Sequence, residues 1–218
     1  SVTKSFTVGL VLMLANQGRL SLHDPIGKYV DGVPNGETIT LANLAGMTSG
    51  VKNYTESPAF LSRFTADFAA PWAAREIVDA ALPESPVFAP GTEYNYSNTN
   101  TILLGMVVEQ VVGRPLADVY QARILNPLGL RNTSYPETAV LPSPHAQPYL
   151  VDPETGEVEA APAVNLTSLG AAGGLVSTID DLGRWGRALG TGALVGSNVR
   201  QLTGRFSRPA TDGPEYDV

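Results

Sequence analysis

Residues 1–16 decide how this chain folds, and they read SVTKSFTVGLVLMLAN. From residue 8 to residue 15 the segment holds only aliphatic side chains, one methionine and one glycine. A helix that is apolar on every side must be buried. The segment therefore predicts a central core helix over residues 2–16, ended by Asn16, Gln17 and Gly18, with Ser1 at the mouth of that helix.

Ser1 and Lys4 form a Ser-x-x-Lys pattern at the start of this helix. The spacing places both side chains on one helix face. Lysine can then share in removing the serine hydroxyl proton, and the helix N-terminus favours negative charge beside the serine. Both residue types are common, so about one chance match is expected in a chain of this length. The pattern therefore gains meaning only with further motifs.

The composition limits the classes of protein to which the chain can belong. The chain has 218 residues, of which 43% are hydrophobic and 16% charged, so it can bury a core and is not of the disordered type. A net charge of −7 and a pI of about 4.8 disfavour a nucleic-acid partner. No apolar run reaches the roughly 18 residues of a membrane span. Cysteine is absent and His23 and His145 are isolated, so we predict no metal and no cofactor.

Periodic patterns predict one mainly helical unit with little sheet. A turn through Asp152 to Gly156 joins two short strands, 149–151 and 158–160, into the best candidate hairpin. Residues 136–170 are rich in proline and small residues, as in an ordered covering loop. Asn98 or Thr99 can cap the third long helix. Helices are predicted over residues 2–16, 57–69, 73–81, 98–112, 115–125 and 178–189.

A second candidate motif, Tyr96-Ser97-Asn98, follows the turn-forming pair Pro90-Gly91. That turn delivers the tyrosine on a loop just before a helix. A tyrosine in such a place is ordinarily a packing or surface aromatic. Its interpretation changes because the chain also carries Ser1 and Lys4.

Together these motifs resemble the serine β-lactamase-like superfamily, in particular its class C branch. That branch contains class C β-lactamases, D-alanyl-D-alanine carboxypeptidases and family VIII esterases. The resemblance implies the helical part of their α+β fold. It extends in order along nearly all of the chain, through residues 44–51 (LAGMTSGV), 88–98 (FAPGTEYNYSN), 127–133 (PLGLRNT) and 172–182 (AGGLVSTIDDL).

The resemblance also implies roles for individual residues. Ser1 is the expected nucleophile that forms an acyl-enzyme, and Lys4 lowers the barrier to proton transfer and holds Tyr96 near its anionic form. Tyr96 is the expected general base for acylation and general acid for the leaving group. Asn98 is expected to donate its amide to a substrate carbonyl. The implied substrate is a small molecule or peptide, namely a D-Ala-D-Ala peptide, a β-lactam or an ester.

Two features of the family are not found in the sequence. The third motif, Lys-Thr-Gly or His-x-Gly on a strand, does not occur, and no strands precede the Ser1 helix. We therefore expect residues 1–218 to be the helical region of a domain that is incomplete at both ends and inactive alone. One oxyanion-hole donor would lie on the third-motif strand, and losing such a donor costs about 10²–10³ in rate. The family implies an extracytoplasmic or cell-envelope location.

Several functions stay open. D-alanyl-D-alanine carboxypeptidase or esterase activity is favoured over β-lactamase, because fast β-lactam turnover needs a positioned water that no segment identifies. A catalytically silent, penicillin-binding-protein-like module is a further alternative. An N-terminal-nucleophile hydrolase, with the α-amine of Ser1 as base, is the most remote. A Ser-His-Asp hydrolase is disfavoured because no Gly-x-Ser-x-Gly elbow occurs.

Two further groups of residues have structural interpretations. Asp180 and Asp181 could be a carboxylate pair, but with Thr178 they form a capping box. Gly173 and Gly174, with Gly170 just before them, do not make a dinucleotide fingerprint. We expect the three glycines to let the backbone turn tightly beside the active site.

Overall fold

The computed structural model describes residues 1–83 and 86–194. Its two strands, β1 (Tyr149–Val151) and β2 (Val158–Ala160), pair antiparallel at the residues predicted for the hairpin. Short 3₁₀ turns cover Ile26–Lys28, Tyr54–Glu56 and Leu166–Ser168. The helices are α1 (Thr3–Asn16), α2 (Leu41–Ala45), α3 (Pro58–Ala66), α4 (Ala74–Ala81), α5 (Asn98–Val112), α6 (Leu116–Tyr120), α7 (Asn126–Leu128), α8 (Gly170–Gly173) and α9 (Ile179–Thr191). The described chain is thus mainly helical, as predicted.

Helix α1 lies at the centre of the core, which confirms the prediction from its apolar sequence. It packs against α5, a second apolar helix, and against α8. Helix α9 covers another part of α1, because the Trp185 ring stacks on Phe6 with their centroids 4.2 Å apart. Gly9 makes room for this ring, since a Cβ at Gly9 would lie 2.9 Å from Trp185 Cη2. The Ser1 end of α1 is therefore held by packing along the whole helix.

The start of α5 differs from the prediction. Neither Asn98 nor Thr99 is the N-cap: Ser97 holds that position, and its side chain makes no capping hydrogen bond. The first backbone N–H of the helix, on Asn98, instead donates to Asn53 Oδ1 at 3.1 Å. A side chain from another segment thus replaces a local N-cap.

Other helix ends shift for local reasons. Helix α3 ends at Ala66, earlier than predicted, and α4 begins at Ala74, where Glu76 Oε2 accepts from the backbone N–H of Ala73 at 2.9 Å. The helix predicted over 115–125 is α6 followed by a π-helical turn over Gln121–Leu125, which runs into α7. The short helices α2 and α8 were not predicted.

Thr178 is the N-cap of α9, as predicted, because its Oγ1 accepts from the Asp181 N–H at 3.4 Å. The capping box was predicted wrongly in its other half, because the Asp181 carboxylate bonds to a different segment instead of the Thr178 N–H. Asp181 is also fully buried. Its Oδ2 accepts from the Asn132 N–H at 2.8 Å and from Thr133 Oγ1 at 2.9 Å. This carboxylate therefore joins α9 to the loop after α7.

No helix in the described ranges is long and apolar enough to cross a bilayer.

Candidate active site

The structure brings together the four residues predicted for the site. Ser1 lies just before α1 and Lys4 in its first turn. Tyr96, on the loop before α5, and Asn98, the first residue of α5, reach the same point. Ser1 Oγ lies 2.9 Å from the Tyr96 hydroxyl and 3.4 Å from Lys4 Nζ. Lys4 Nζ in turn donates to Asn98 Oδ1 at 2.7 Å. The four side chains form one hydrogen-bonded group although 95 positions separate Ser1 from Tyr96.

Two carbonyl oxygens orient the Lys4 amine. Besides Asn98 Oδ1, the backbone oxygen of Ala172 accepts from Lys4 Nζ, at 2.9 Å. A carbonyl oxygen can only accept, so both contacts require an N–H. As an ammonium group, Lys4 has a third N–H left for Ser1 Oγ. As a neutral amine it has only two N–H groups, and its lone pair would face Ser1 Oγ. Lys4 can therefore give a proton to Ser1 or receive one from it without moving.

Tyr96 contacts the other three residues of the site. Its hydroxyl lies 2.9 Å from Ser1 Oγ and donates to Asn98 Oδ1 at 3.3 Å. Lys4 Nζ lies 5.1 Å from the centre of the Tyr96 ring, within the range of a cation–π contact. The ring is 41% exposed, so the phenol faces the space that a substrate would enter.

Two buried tyrosines, Tyr54 and Tyr120, have structural roles near the site. Burial raises the pKa of Tyr54 and of Tyr120 well above the ordinary value. The Tyr54 hydroxyl donates to the Ser168 carbonyl at 2.9 Å. Both phenols therefore stay neutral and serve as structural hydrogen-bonding groups.

The half-buried side chain of Asn98 holds Lys4 and keeps one amide hydrogen available. Its Oδ1 accepts from Lys4, and its Nδ2 donates to Asn53 Oδ1 at 3.2 Å. An amide NH₂ carries two hydrogens. One is used by Asn53, and the second can go to a substrate carbonyl, the role expected from the sequence.

A clamp between α1 and α8 fixes the carbonyl of Ala172. The Tyr120 hydroxyl and Thr7 Oγ1 lie 2.6 Å apart, and Thr7 Oγ1 donates to the Ala171 carbonyl at 2.6 Å. One turn earlier, Thr3 Oγ1 accepts from the Leu175 N–H at 3.1 Å. These bonds set the Ala172 oxygen opposite Lys4.

Two of the three glycines of this segment occupy positions that favour glycine, although Gly170–Gly173 form the short helix α8. Gly170 has a φ of 44°, in the region that favours glycine. A Cβ on Gly174 would lie 2.9 Å from the Gly170 carbonyl oxygen. The backbone can therefore turn tightly behind the Lys4 contact.

Sequence reasoning missed two contributors to the site. A backbone carbonyl such as that of Ala172 has no residue-type signature, although it lies within the motif at 172–182. Asn53 has no signal beyond its place two residues after the motif at 44–51. His23 and His145, set aside from the sequence, are exposed. In the described ranges no group of three or more His, Cys, Asp or Glu side chains could hold a metal ion.

A serine hydroxyl within hydrogen-bond reach of both a lysine and a tyrosine, at the start of a buried helix, is an arrangement suited to serine-type acyl transfer. The family model described as Beta-lactamase matches residues 1–217. The chain belongs to this family, and so to the serine β-lactamase-like superfamily of serine hydrolases.

Individual relatives agree with this assignment. The D-alanyl-D-alanine-carboxypeptidase/endopeptidase AmpH of Escherichia coli (strain K12) is 32% identical over 196 residues, which cover 85% of this chain and 46% of AmpH. The chain thus spans about half the length of this curated relative.

Two solved structures are also similar. The D-stereospecific amidohydrolase from Streptomyces sp. matches with a TM-score of 0.89 at 35% identity, over 99% of this chain and 66% of that one. The D-amino acid amidase from Ochrobactrum anthropi SV3, complexed with D-phenylalanine, matches with a TM-score of 0.78 at 26% identity, over 93% of this chain and 58% of that one. These likenesses confirm the predicted β-lactamase/transpeptidase-like fold class.

Proposed function

We propose that the protein hydrolyses amides or esters through an acyl-enzyme on Ser1, with activity of the D-alanyl-D-alanine carboxypeptidase or esterase type. The observation that carries the proposal is the position of Ser1 Oγ, 2.9 Å from the Tyr96 hydroxyl and 3.4 Å from Lys4 Nζ. A serine is a weak nucleophile until an adjacent base removes its proton. Here two groups that can take the proton are within reach.

In the proposed acylation step, Ser1 Oγ attacks the acyl carbon of the substrate while its proton moves to Tyr96 or Lys4. Tyr96 then delivers a proton to the leaving amine or alkoxide, and the bond to the leaving group breaks. Tyr96 and Lys4 both contact Ser1 and Asn98, so the two side chains act together as the base in this proposal. Water attacks the acyl-enzyme in the second half of the reaction, with the same groups removing its proton and returning one to Ser1.

The substrate is oriented by Asn98 in this proposal. Its second amide hydrogen donates to a carbonyl of the substrate, while its oxygen keeps Lys4 in place. The backbone N–H of Ser1 lies at the helix start, where it can donate to the oxyanion that forms on the acyl carbonyl.

The substrate class is proposed from the relatives. Three of the similar proteins are named for D-configured substrates or for D-stereospecificity: a D-alanyl-D-alanine carboxypeptidase, a D-stereospecific amidohydrolase and a D-amino acid amidase. We therefore propose a small molecule or short peptide with a D-residue on the acyl side, and a location outside the cytoplasm or at the cell envelope. A β-lactam would acylate Ser1 by the same steps and be released slowly.

The test compares matched substrates on the full-length protein. D- and L-amino acid amides, a D-Ala-D-Ala peptide, a p-nitrophenyl ester and a chromogenic β-lactam are each assayed for kcat/KM. We expect turnover of the ester and of the D-configured amide or peptide, and slow turnover of the β-lactam. Preference for the L-amide would contradict the proposed substrate class. A protein that shows neither labelling by fluorescent penicillin nor turnover of any substrate would favour a silent binding module.

A further inference from the structure

The two ends of the Asn98 side-chain amide are nearly equal in shape and opposite in chemistry. Only one rotamer presents the oxygen to Lys4 Nζ, at 2.7 Å. A 180° flip would place an NH₂ group against the lysine and leave that ammonium without one of its two carbonyl acceptors. Packing alone does not choose between the two rotamers, so the choice rests on hydrogen-bond partners.

Asn53 supplies the partner that decides the rotamer of Asn98. Its Oδ1 accepts from the backbone N–H of Asn98 at 3.1 Å and from Asn98 Nδ2 at 3.2 Å. The Asn53 amide is itself oriented, because its Nδ2 donates to Glu56 Oε1 at 3.2 Å. A carboxylate can only accept, so the direction of donation is fixed from this end. A series of hydrogen bonds then runs from Glu56 through Asn53 and Asn98 to Lys4.

The backbone around Asn53 is fastened independently of its side chain. The Tyr54 N–H donates to Thr99 Oγ1 at 2.9 Å, and Thr99 Oγ1 donates to the Lys52 carbonyl at 2.7 Å. Tyr54 is buried, with its hydroxyl bonded to the Ser168 carbonyl. The segment therefore stays beside α5 even when the side chain at position 53 is changed.

We propose that Asn53 is a positioning residue of the active site: it selects the rotamer of Asn98 that presents its oxygen to Lys4. Asn53 does not touch the reacting atoms and acts through Asn98. The inference rests on the proposed function, because it requires that the orientation of Lys4 matters for proton transfer. Loss of the Asn53 acceptor leaves the rotamer of Asn98 to its contacts with Lys4 and Tyr96 alone, so the other rotamer becomes more populated, and only one of the two supports proton transfer.

The test is a double-mutant cycle on the full-length enzyme with the ester substrate. Asn53→Leu removes the acceptor, and we expect kcat to fall about 10-fold to 100-fold with KM nearly unchanged. Asn53→Asp keeps an oxygen that can accept from Asn98, so it should retain kcat to within about threefold. In an Asn98→Asp background both ends of the side chain are acceptors, so either rotamer presents an oxygen to Lys4. There, Asn53→Leu should change kcat less than about threefold relative to Asn98→Asp alone.

Controls separate this inference from a loss of folding and from the proposed function. Asn132→Leu changes an exposed asparagine whose bond to Asp181 is made by the backbone N–H, and it should leave kcat unchanged. An equal drop in kcat for Asn53→Leu in both backgrounds would overturn the positioning role. So would an Asn53→Leu enzyme as active as the Asn132→Leu control. Activity that survives Ser1→Ala would instead overturn the proposed function, whatever position 53 does.

Discussion

Replacing Tyr96 by phenylalanine removes one atom from the site and tests the acid–base role directly. The lost oxygen lies 2.9 Å from Ser1 Oγ, whereas the ring that lies 5.1 Å from Lys4 Nζ is kept. Because Tyr96 is 41% exposed, no buried polar group is left unpaired, and stability should change by less than about 0.5 kcal/mol. A positioned acid–base group is worth about 10²–10⁴ in rate, or about 2.7–5.4 kcal/mol of activation free energy.

We therefore expect Tyr96→Phe to slow acylation by about 10²–10⁴ with an unchanged Tm. The remaining rate would come from Lys4, which stays 3.4 Å from Ser1 Oγ. The assay is single-turnover acylation by a chromogenic ester or a fluorescent penicillin, followed by stopped flow, with thermal unfolding of the same sample. Tyr94→Phe is the matched control, because Tyr94 is 60% exposed on the same loop. An acylation rate for Tyr96→Phe within threefold of the Tyr94→Phe rate would refute the assigned role.

Two further predictions concern stability and its pH dependence. Asp181→Ala should destabilise the fold by about 2–4 kcal/mol in urea unfolding, because it leaves the Asn132 N–H without its acceptor and removes the buried carboxylate that accepts from Thr133 Oγ1 and pairs with Arg184. Asp180→Ala, at an exposed neighbour, should change little. Burial, with a smaller contribution from Glu137, raises the pKa of Glu109 above its ordinary value. The folded protein therefore keeps this proton to higher pH than the unfolded chain, so ionisation of Glu109 lowers stability as pH rises above about 4.3. Glu109→Gln should accordingly be more stable relative to the parent at pH 7 than at pH 4, and an equal difference at both pH values would contradict this.

The core helices could be predicted from sequence because side chains that are apolar on every face of a helix require it to be buried. Helices α1 and α5 carry long apolar runs, and each lies within a residue of its predicted bounds at both ends. The hairpin was located by its Asp152–Gly156 turn. Helix α8 was missed because its sequence, GAAG, has weak helix propensity, and its glycines instead suggested a turn.

The site was predictable only in part for a similar reason. The motifs supplied Ser1, Lys4, Tyr96 and Asn98, since their side-chain chemistry is visible in the sequence. The groups that orient Lys4 are not visible in the sequence. The Ala172 oxygen belongs to the backbone, and Asn53 acts through a pairing that the tertiary fold sets. The same pairing explains why the cap of α5 was assigned wrongly: the acceptor for the Asn98 N–H comes from position 53 and not from a neighbour in sequence.

The most direct test of the central claim is the site of the acyl-enzyme. Full-length protein is incubated with fluorescent penicillin, or with a slowly released D-configured ester, and its intact mass and the modified peptide are measured. The account predicts a single adduct on Ser1, none on the Ser1→Ala variant, and an unaltered adduct on Ser62→Ala, which changes an exposed serine of α3. An adduct on another residue, or hydrolysis of a p-nitrophenyl ester by Ser1→Ala at the parental rate, would contradict it.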